Sequence, residues 1–355
     1  MKALIDKLEK NRILTEEEFI ALIEGRNEQD AEYLFARARE ARHRIYGKDI
    51  FIRGLIEFTN FCKNDCYYCG IRCSNRKAER YRLSEEEILL CCEKGYELGY
   101  RTFVLQGGED PKYSPDRIAC LIRTIKARYP DCAITLSFGE HDKETYRLWK
   151  EAGADRYLLR HETADEDHYR ALHPQSLTLK NRKDCLYALK DLGYQVGCGF
   201  MVGSPHQTSA TIAKDLLFIH ELQPQMVGIG PFIPHRDTPF AKEPQGDLFL
   251  TLYLLAIVRL LLPAVLLPAT TALGSIHPEG REKGILAGAN VCMPNLSPEG
   301  VRDKYSLYNN KLSTGSEDAL QKSALAKQME RIGYQLVVDR GDPKVHPKKG
   351  EQTNV

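Results

Sequence analysis

Phe51-Ile52-Arg53-Gly54-Leu55-Ile56-Glu57-Phe58-Thr59-Asn60-Phe61-Cys62-Lys63-Asn64-Asp65-Cys66-Tyr67-Tyr68-Cys69 reads as a strand that runs directly into a loop carrying three cysteines. The strand, Phe51 to Phe58, is rich in aliphatic and aromatic side chains. Further segments of this kind lie at approximately Thr102 to Gln106, Ala133 to Ser137, Arg156 to Arg160, Gln195 to Val202, Met226 to Gly230, Ala264 to Ala269 and Ala289 to Met293. Helical periodicity fills the intervals; Ser84 to Leu98, with Glu86 and Glu87 behind the serine, reads as a capped helix with an acidic first turn. Strand and helix alternate throughout, which implies parallel strands joined by right-handed crossovers. Eight such units fit an α/β fold of the closed (β/α)8 TIM-barrel type better than an open doubly wound sheet, although an open sheet of eight satisfies the same pattern.

Residues 1–48 read as two or three short helices capping the barrel, 49–310 as the barrel, and 311–355 as a C-terminal helix and tail packed on it or trailing from it. The stretch from Asp339 to Val355 is polar and rich in Lys, Gly and Pro, the composition of a disordered tail. With 43% hydrophobic and 28% charged residues in 355, one large core is within reach and a wholly disordered or fibrous chain is excluded. Fifty basic residues against 49 acidic ones leave no broad positive field, so nucleic acid is not an expected partner. The longest uncharged apolar run, Leu248 to Val258, falls well short of the ~20 residues that span a bilayer. Nor does the start, Met1-Lys2-Ala3-Leu4-Ile5-Asp6-Lys7, resemble a signal peptide, so a cytoplasmic location and no membrane partner are expected.

Eleven cysteines, an odd number in so long a chain, are expected to be mostly free thiols. Chance would produce a CxxxCxxC triplet only on the order of 0.01 times in such a composition, so Cys62, Cys66 and Cys69 carry information. Thiolates select zinc or iron–sulfur clusters, and three sulfurs on one short loop suit a cubane with its fourth iron left open. Zinc with Cys73 as a fourth ligand is the alternative. The remaining cysteines read as buried spectators.

The motif, with Tyr68 in its aromatic place, resembles the signature of the radical SAM superfamily. The resemblance implies a 4Fe-4S cluster on the three thiolates, with S-adenosylmethionine chelating the open iron and being split to a 5′-deoxyadenosyl radical and methionine.

A barrel enzyme builds its site at the C-terminal ends of its strands. Polar groups gather there: Gln106-Gly107-Gly108-Glu109, Ser137-Phe138-Gly139-Glu140, Arg160-His161-Glu162 and Thr270-Thr271. Gly107-Gly108-Glu109 looks like the superfamily's turn that meets the ammonium of S-adenosylmethionine, although Gly-Gly turns are also structural. Gly199 to Gly203, with Met201, resembles the segment that lies along the adenine; a glycine-rich strand bend is the plainer reading. Ser137 belongs with the same cofactor set. Glu162 and Arg182 are expected at the cofactor's polar end, because a guanidinium matches a carboxylate bidentately, against surface pairing for Arg182. Arg53 and Arg156 stand in apolar strands, where an inward arginine needs an anion or a carboxylate, and the period of two allows either to point outward instead.

IEFTNFCKNDCYYCG, VLQGGEDP, YLLRHETA, MVGIGPFIPH, PATTALG and GANVCMPN, spread in order over residues 50–310, resemble the HydE maturases of FeFe hydrogenases. That family implies a cavity lined by Arg53, Gln106, Thr135, Arg156, Arg160, Thr270, Thr271, Met293 and Tyr305. Its implied substrate is a small organometallic iron–cysteine complex. Other hydrogenase maturation proteins, and a reductant such as ferredoxin or flavodoxin, are the implied partners. No cysteine follows Cys292, so no second cluster is expected, and Gly107 stands where a small hydroxyl residue can occur. Sulfur insertion of the biotin synthase type, isomerisation of the methylornithine synthase type, and a non-catalytic iron–sulfur carrier are the alternatives.

Overall fold

The computed structural model describes residues 1–313 and 315–344. Its strands are β1 Asp49–Ile52, β2 Gly54–Thr59, β3 Thr102–Gly107, β4 Ala133–Ser137, β5 Arg156–Leu158, β6 Gln195–Cys198, β7 Met201–Val202, β8 Met226–Val227, β9 Gly230–Pro231, β10 Val291–Cys292 and β11 Gln335–Val337. All ladders between them are parallel. Six strands follow one another as β2-β3-β4-β5-β6-β8, while β1 lies between β10 and β11, and β7 pairs with β9. Helices occupy the crossovers, as parallel pairing demands. The helix Glu85–Glu97 begins on a capping box: Ser84 accepts from the Glu87 amide and the Glu87 carboxylate accepts from Ser84 N–H.

Period-two alternation sorts the strand residues. Ile56, Phe58, Phe103, Leu105, Ile134, Leu136, Tyr157 and Val196 join the main apolar core beneath the helices. On the opposite face, Phe51, Leu158, Met226, Leu266 and Val291 belong to a second, smaller cluster. Positions 53, 55, 57 and 59 share that inner face, which turns Glu57 inward together with Arg53. The apolar run that opens at Leu248 is a helix, Leu248–Leu261, buried from Thr251 to its end. Part of it packs on Glu28–Tyr46, the longest of the three N-terminal helices Lys2–Asn11, Glu16–Glu24 and Glu28–Tyr46. No helix among the described residues is long and apolar enough to cross a membrane.

Two expectations need correction. Ala264 to Ala269 forms no ladder, only isolated parallel bridges from Leu266 to Met226 and from Pro268 to Val291. The reading of the chain from Asp339 as a disordered tail fails for its first residues. Asp342 pairs with Arg156 at 2.6 Å, Arg340 with Asp155 at 3.0 Å, and the Arg340 carbonyl accepts from Thr102 at 2.7 Å. Composition alone hides this, because the carboxylate is called in by a buried guanidinium far away in sequence. The tail from residue 345 onward lies outside the described residues.

Candidate active site

β2 delivers the chain into the cysteine loop, and the loop is held from several sides. Lys63 N–H donates to the Glu109 carbonyl at 2.9 Å, Tyr67 N–H to Leu172 at 3.0 Å, Gly70 N–H to Leu307 at 2.9 Å and Cys73 N–H to Asn64 at 2.9 Å. Among the described residues Arg80 meets no carboxylate; its guanidinium donates to the carbonyls of Asn60, Ile71, Arg72 and Asn75. Such a clamp fixes a loop that has no ladder of its own.

All eleven cysteines are free thiols, and Cys73 is exposed where Cys62, Cys66 and Cys69 are half-buried. Burial pushes the Cys66 thiol well up, reinforced by Cys69, and pushes Cys69 to about 12, reinforced by Cys62. Thiols in such a place stay protonated until cations arrive, which is how metal binding and proton release are linked. Among the described residues no three His, Cys, Asp or Glu side chains come together at single-ion distance. The donor set, three thiols on one short loop, fits a multi-iron cluster better than one zinc.

Tyr68, in the aromatic place of the motif, donates its hydroxyl to His173 Nε2 at 3.1 Å, while His173 Nδ1 faces the Tyr169 carbonyl at 3.0 Å. Tyr68 packs against the apolar cluster of Leu172, Met201 and Phe232. At the end of β3, Gly108 lies so close to the loop that a Cβ there would sit 2.2 Å from the Phe61 carbonyl oxygen and 2.7 Å from Cys62 Cβ. Gly107 likewise presses on Thr59. Glu109 is buried; its carboxylate accepts from Glu140 N–H at 2.8 Å and pairs with Lys63 at 3.1 Å. Gln106 stands opposite Ser137 across the β3–β4 ladder.

Glu140, Arg160, Glu162 and Arg182 form one ionic network at the ends of β4 and β5. Arg182 is buried, pairs with Glu140 through Nε and donates from Nη1 to the Arg160 carbonyl at 2.6 Å. The Arg160 side chain meets Glu162 at 3.0 Å. Glu162 holds a left-handed φ of 64°, rare for a residue with a side chain, and its N–H donates to the Gly199 carbonyl at 3.0 Å. Between these two, His161 turns the other way: its Nδ1 accepts from Gly199 N–H at 3.3 Å and its Nε2 faces Asp215 at 3.4 Å.

The cavity residues divide between two levels. Near the strand ends, Tyr305 is buried, and Thr271 donates to Glu317 at 2.8 Å. Toward the base, Arg156 is satisfied by Gln195, Thr102, the Arg340 carbonyl and Asp342. Arg53 reaches Met226 Sδ and the Gly341 carbonyl, and Met293 packs half-buried against the inner apolar cluster. Among the described residues, Arg53 Nε, Thr135 Oγ1, Arg160 Nε and Thr270 Oγ1 are buried without a hydrogen-bond partner. A buried polar atom left unpaired is costly, and the same holds for atoms away from the cavity, such as Tyr253 Oη and Asn290 Nδ2.

Sequence reasoning passed over Glu57 and Lys311. Glu57 is fully buried, accepts from Asn295 at 2.7 Å and pairs with Lys311 at 2.5 Å. Its inward register was readable from Arg53 by alternation; Lys311 reaches it from a distant segment and leaves no local signal.

Residues 56–219 match the model of the radical SAM superfamily. The chain is 44% identical to the [FeFe] hydrogenase maturase subunit HydE of Thermotoga maritima, over 97% of both chains. It is 30% identical to the 3-methylornithine synthase of Methanosarcina acetivorans, over 91% of this chain and 90% of that one. A crystal structure of methylornithine synthase superposes with a TM-score of 0.83 at 27% identity, covering 94% of this chain and 97% of that chain. With near full-length identity added to the cysteine loop and its ionic surroundings, the chain belongs to the HydE family of the radical SAM superfamily.

Proposed function

We propose that this chain is a maturase of FeFe hydrogenase that acts on a small organometallic iron–cysteine precursor in the interior of a closed (β/α)8 barrel. Closure is supported by the bridges from Leu266 to Met226, Pro268 to Val291 and Asn295 to Leu55, which link β8 to β10 and β10 back to β2. Cys62, Cys66 and Cys69 hold the 4Fe-4S cluster. Together with S-adenosylmethionine, that cluster supplies a 5′-deoxyadenosyl radical.

Arg182 and Glu162 bind the polar end of S-adenosylmethionine, the Gly107-Gly108-Glu109 turn and Ser137 its amino group, and Tyr68 and Met201 pack on its apolar parts. Arg160 and Thr270 orient the precursor near the strand ends. The observation that carries the reading is the ionic network of Arg160 with buried Glu162 and Arg182 at the strand ends, groups that suit a small polar or anionic ligand. Other maturation proteins and a ferredoxin or flavodoxin are its partners, in the cytoplasm.

Likeness to methylornithine synthase favours a second reading, isomerisation of an amino acid on the same scaffold. One experiment separates them. Anaerobically loaded protein is expected to bind about four iron and four sulfide, to release 5′-deoxyadenosine, and to restore active hydrogenase to an extract lacking its own maturase. The triple Cys→Ala variant at 62, 66 and 69 is expected to do none of these. Turnover of S-adenosylmethionine without any hydrogenase activation would remove the maturase reading.

A further inference from the structure

Behind the ends of β5 and β6, on the side away from the Arg160–Glu162 pair, lie a buried histidine and a buried carboxyl group. His161 and Asp215 are both 0% exposed. The His161 ring sits among apolar neighbours, edge-on to Phe218 at 5.0 Å and tilted on Phe200 at 5.9 Å. Its Nδ1 accepts from Gly199 N–H, so the single proton of the neutral ring sits on Nε2. Burial holds this histidine at about 3, which keeps the ring neutral at ordinary pH. Nε2 faces Asp215 at 3.4 Å and finds no other partner among the described residues. Asp215, on the helix Ser209–Leu222, uses the same oxygen, Oδ1, to accept the Ala164 N–H at 2.5 Å. One oxygen thus reaches both ends of the turn 161–164. Burying two such groups in an apolar core is costly unless a specific geometry comes of it.

That geometry centres on Gly199, whose N–H goes to His161 and whose carbonyl accepts from Glu162 N–H at 3.0 Å. Gly199 is the bend between β6 and β7; its φ is 149°, and a Cβ there would lie 2.0 Å from the Gly228 carbonyl oxygen. Phe200 bridges to Glu162, and Met201 opens β7. We propose that Asp215 and His161 are positioning residues that hold the turn carrying Glu162 in register with the Gly199–Met201 bend, so that the two ends of S-adenosylmethionine are gripped by jaws fixed to one another. The inference rests on the reading that Glu162 meets the cofactor's polar end and Met201 its adenosyl part. Both residues act through Glu162 and Gly199 rather than by contact. A ligand that spans both jaws gains from their preset spacing, because less has to be ordered when it binds; a ligand held by one jaw does not. Burial pushes the Asp215 carboxyl well up, so position 215 has to supply an accepting oxygen rather than a charge.

The test is titration calorimetry on the cluster-loaded full chain, kept oxidised so that no turnover occurs. Two ligands are compared: S-adenosylmethionine, which spans both jaws, and 5′-methylthioadenosine, which lacks the amino-acid end. His161→Asn keeps an acceptor for Gly199 N–H but cannot reach Asp215, whereas His161→Gln reaches toward Asp215 and gives up Gly199. Both are expected to bind S-adenosylmethionine about tenfold more weakly, the scale of one buried hydrogen bond, with 5′-methylthioadenosine unchanged. Asp215→Asn keeps the accepting oxygen and is expected to bind both ligands as wild type does. Wild-type affinity for S-adenosylmethionine in both His161 variants, at equal iron content, overturns the proposal. So does equal weakening of the two ligands, the mark of a loosened fold, or an Asp215→Asn chain as impaired as His161→Asn. Glu162→Gln tests the premise separately. If it binds S-adenosylmethionine normally, the reading of Glu162 as a cofactor ligand falls; if it is weakened while the His161 variants are not, the positioning pair alone falls.

Discussion

Arg182 shows how much one side chain's meaning depends on what it touches. A charge early in the helix Leu179–Asp191 would ordinarily be solvated, yet this one is buried against Glu140 and the Arg160 carbonyl. If it also grips the carboxylate of S-adenosylmethionine, a charge-assisted bond worth roughly 1.5 to 3 kcal/mol, Arg182→Ala weakens cofactor binding by one to two decades. Titration calorimetry on the cluster-loaded protein reads this directly; an unchanged dissociation constant would confine Arg182 to bracing Glu140. The cysteine spacing was legible in the sequence because it is a short local pattern; the pairing of Arg160 with Glu162 was not read there. Glu140 as the partner of Arg182 was not, since 42 residues separate them.

At the scale of elements, the β3 turn and the cysteine loop are built as one unit, because Gly108 leaves room for the Phe61 carbonyl. Gly108→Ala forces the two apart, with an expected cost of about 1 to 3 kcal/mol and a loss of iron per chain. Urea midpoints and iron content measured on the same preparation check both; full iron loading at wild-type stability would show that the turn yields freely. β3 and β4 were readable to within a residue from their β-rich composition and flanking helices. Ala264 to Ala269 was harder: between Pro263 and Pro268 it makes single bridges and not a ladder, and composition cannot tell the two apart. β11 went unread because exposed Gln335 and half-exposed Leu336 and Val337 carry no alternation.

For the whole molecule, buried histidines couple stability to pH. Burial, with Arg182 nearby, holds His173 at about 3 against an ordinary value of 6.5. As pH falls below 6.5 the unfolded chain takes up a proton that folded His173 refuses, so stability present at neutral pH drains away toward pH 3. The slope is at most about 1.4 kcal/mol per pH unit. His173→Gln is expected to flatten the curve of unfolding free energy between pH 6 and pH 4 by that amount, while His161, held equally low by burial, keeps its own share. An identical slope in the variant, measured by urea unfolding, would locate the proton uptake elsewhere. The seating of β1 between β10 and β11 has a consequence in time. β11 meets β1 at Asp49 across 286 residues. During synthesis both edges of β1 therefore wait for partners that emerge hundreds of residues later, by which time most of the β2-to-β8 sheet is already available. The nascent chain carries an open apolar edge through most of its translation, the kind of surface that invites chaperones and mispairing.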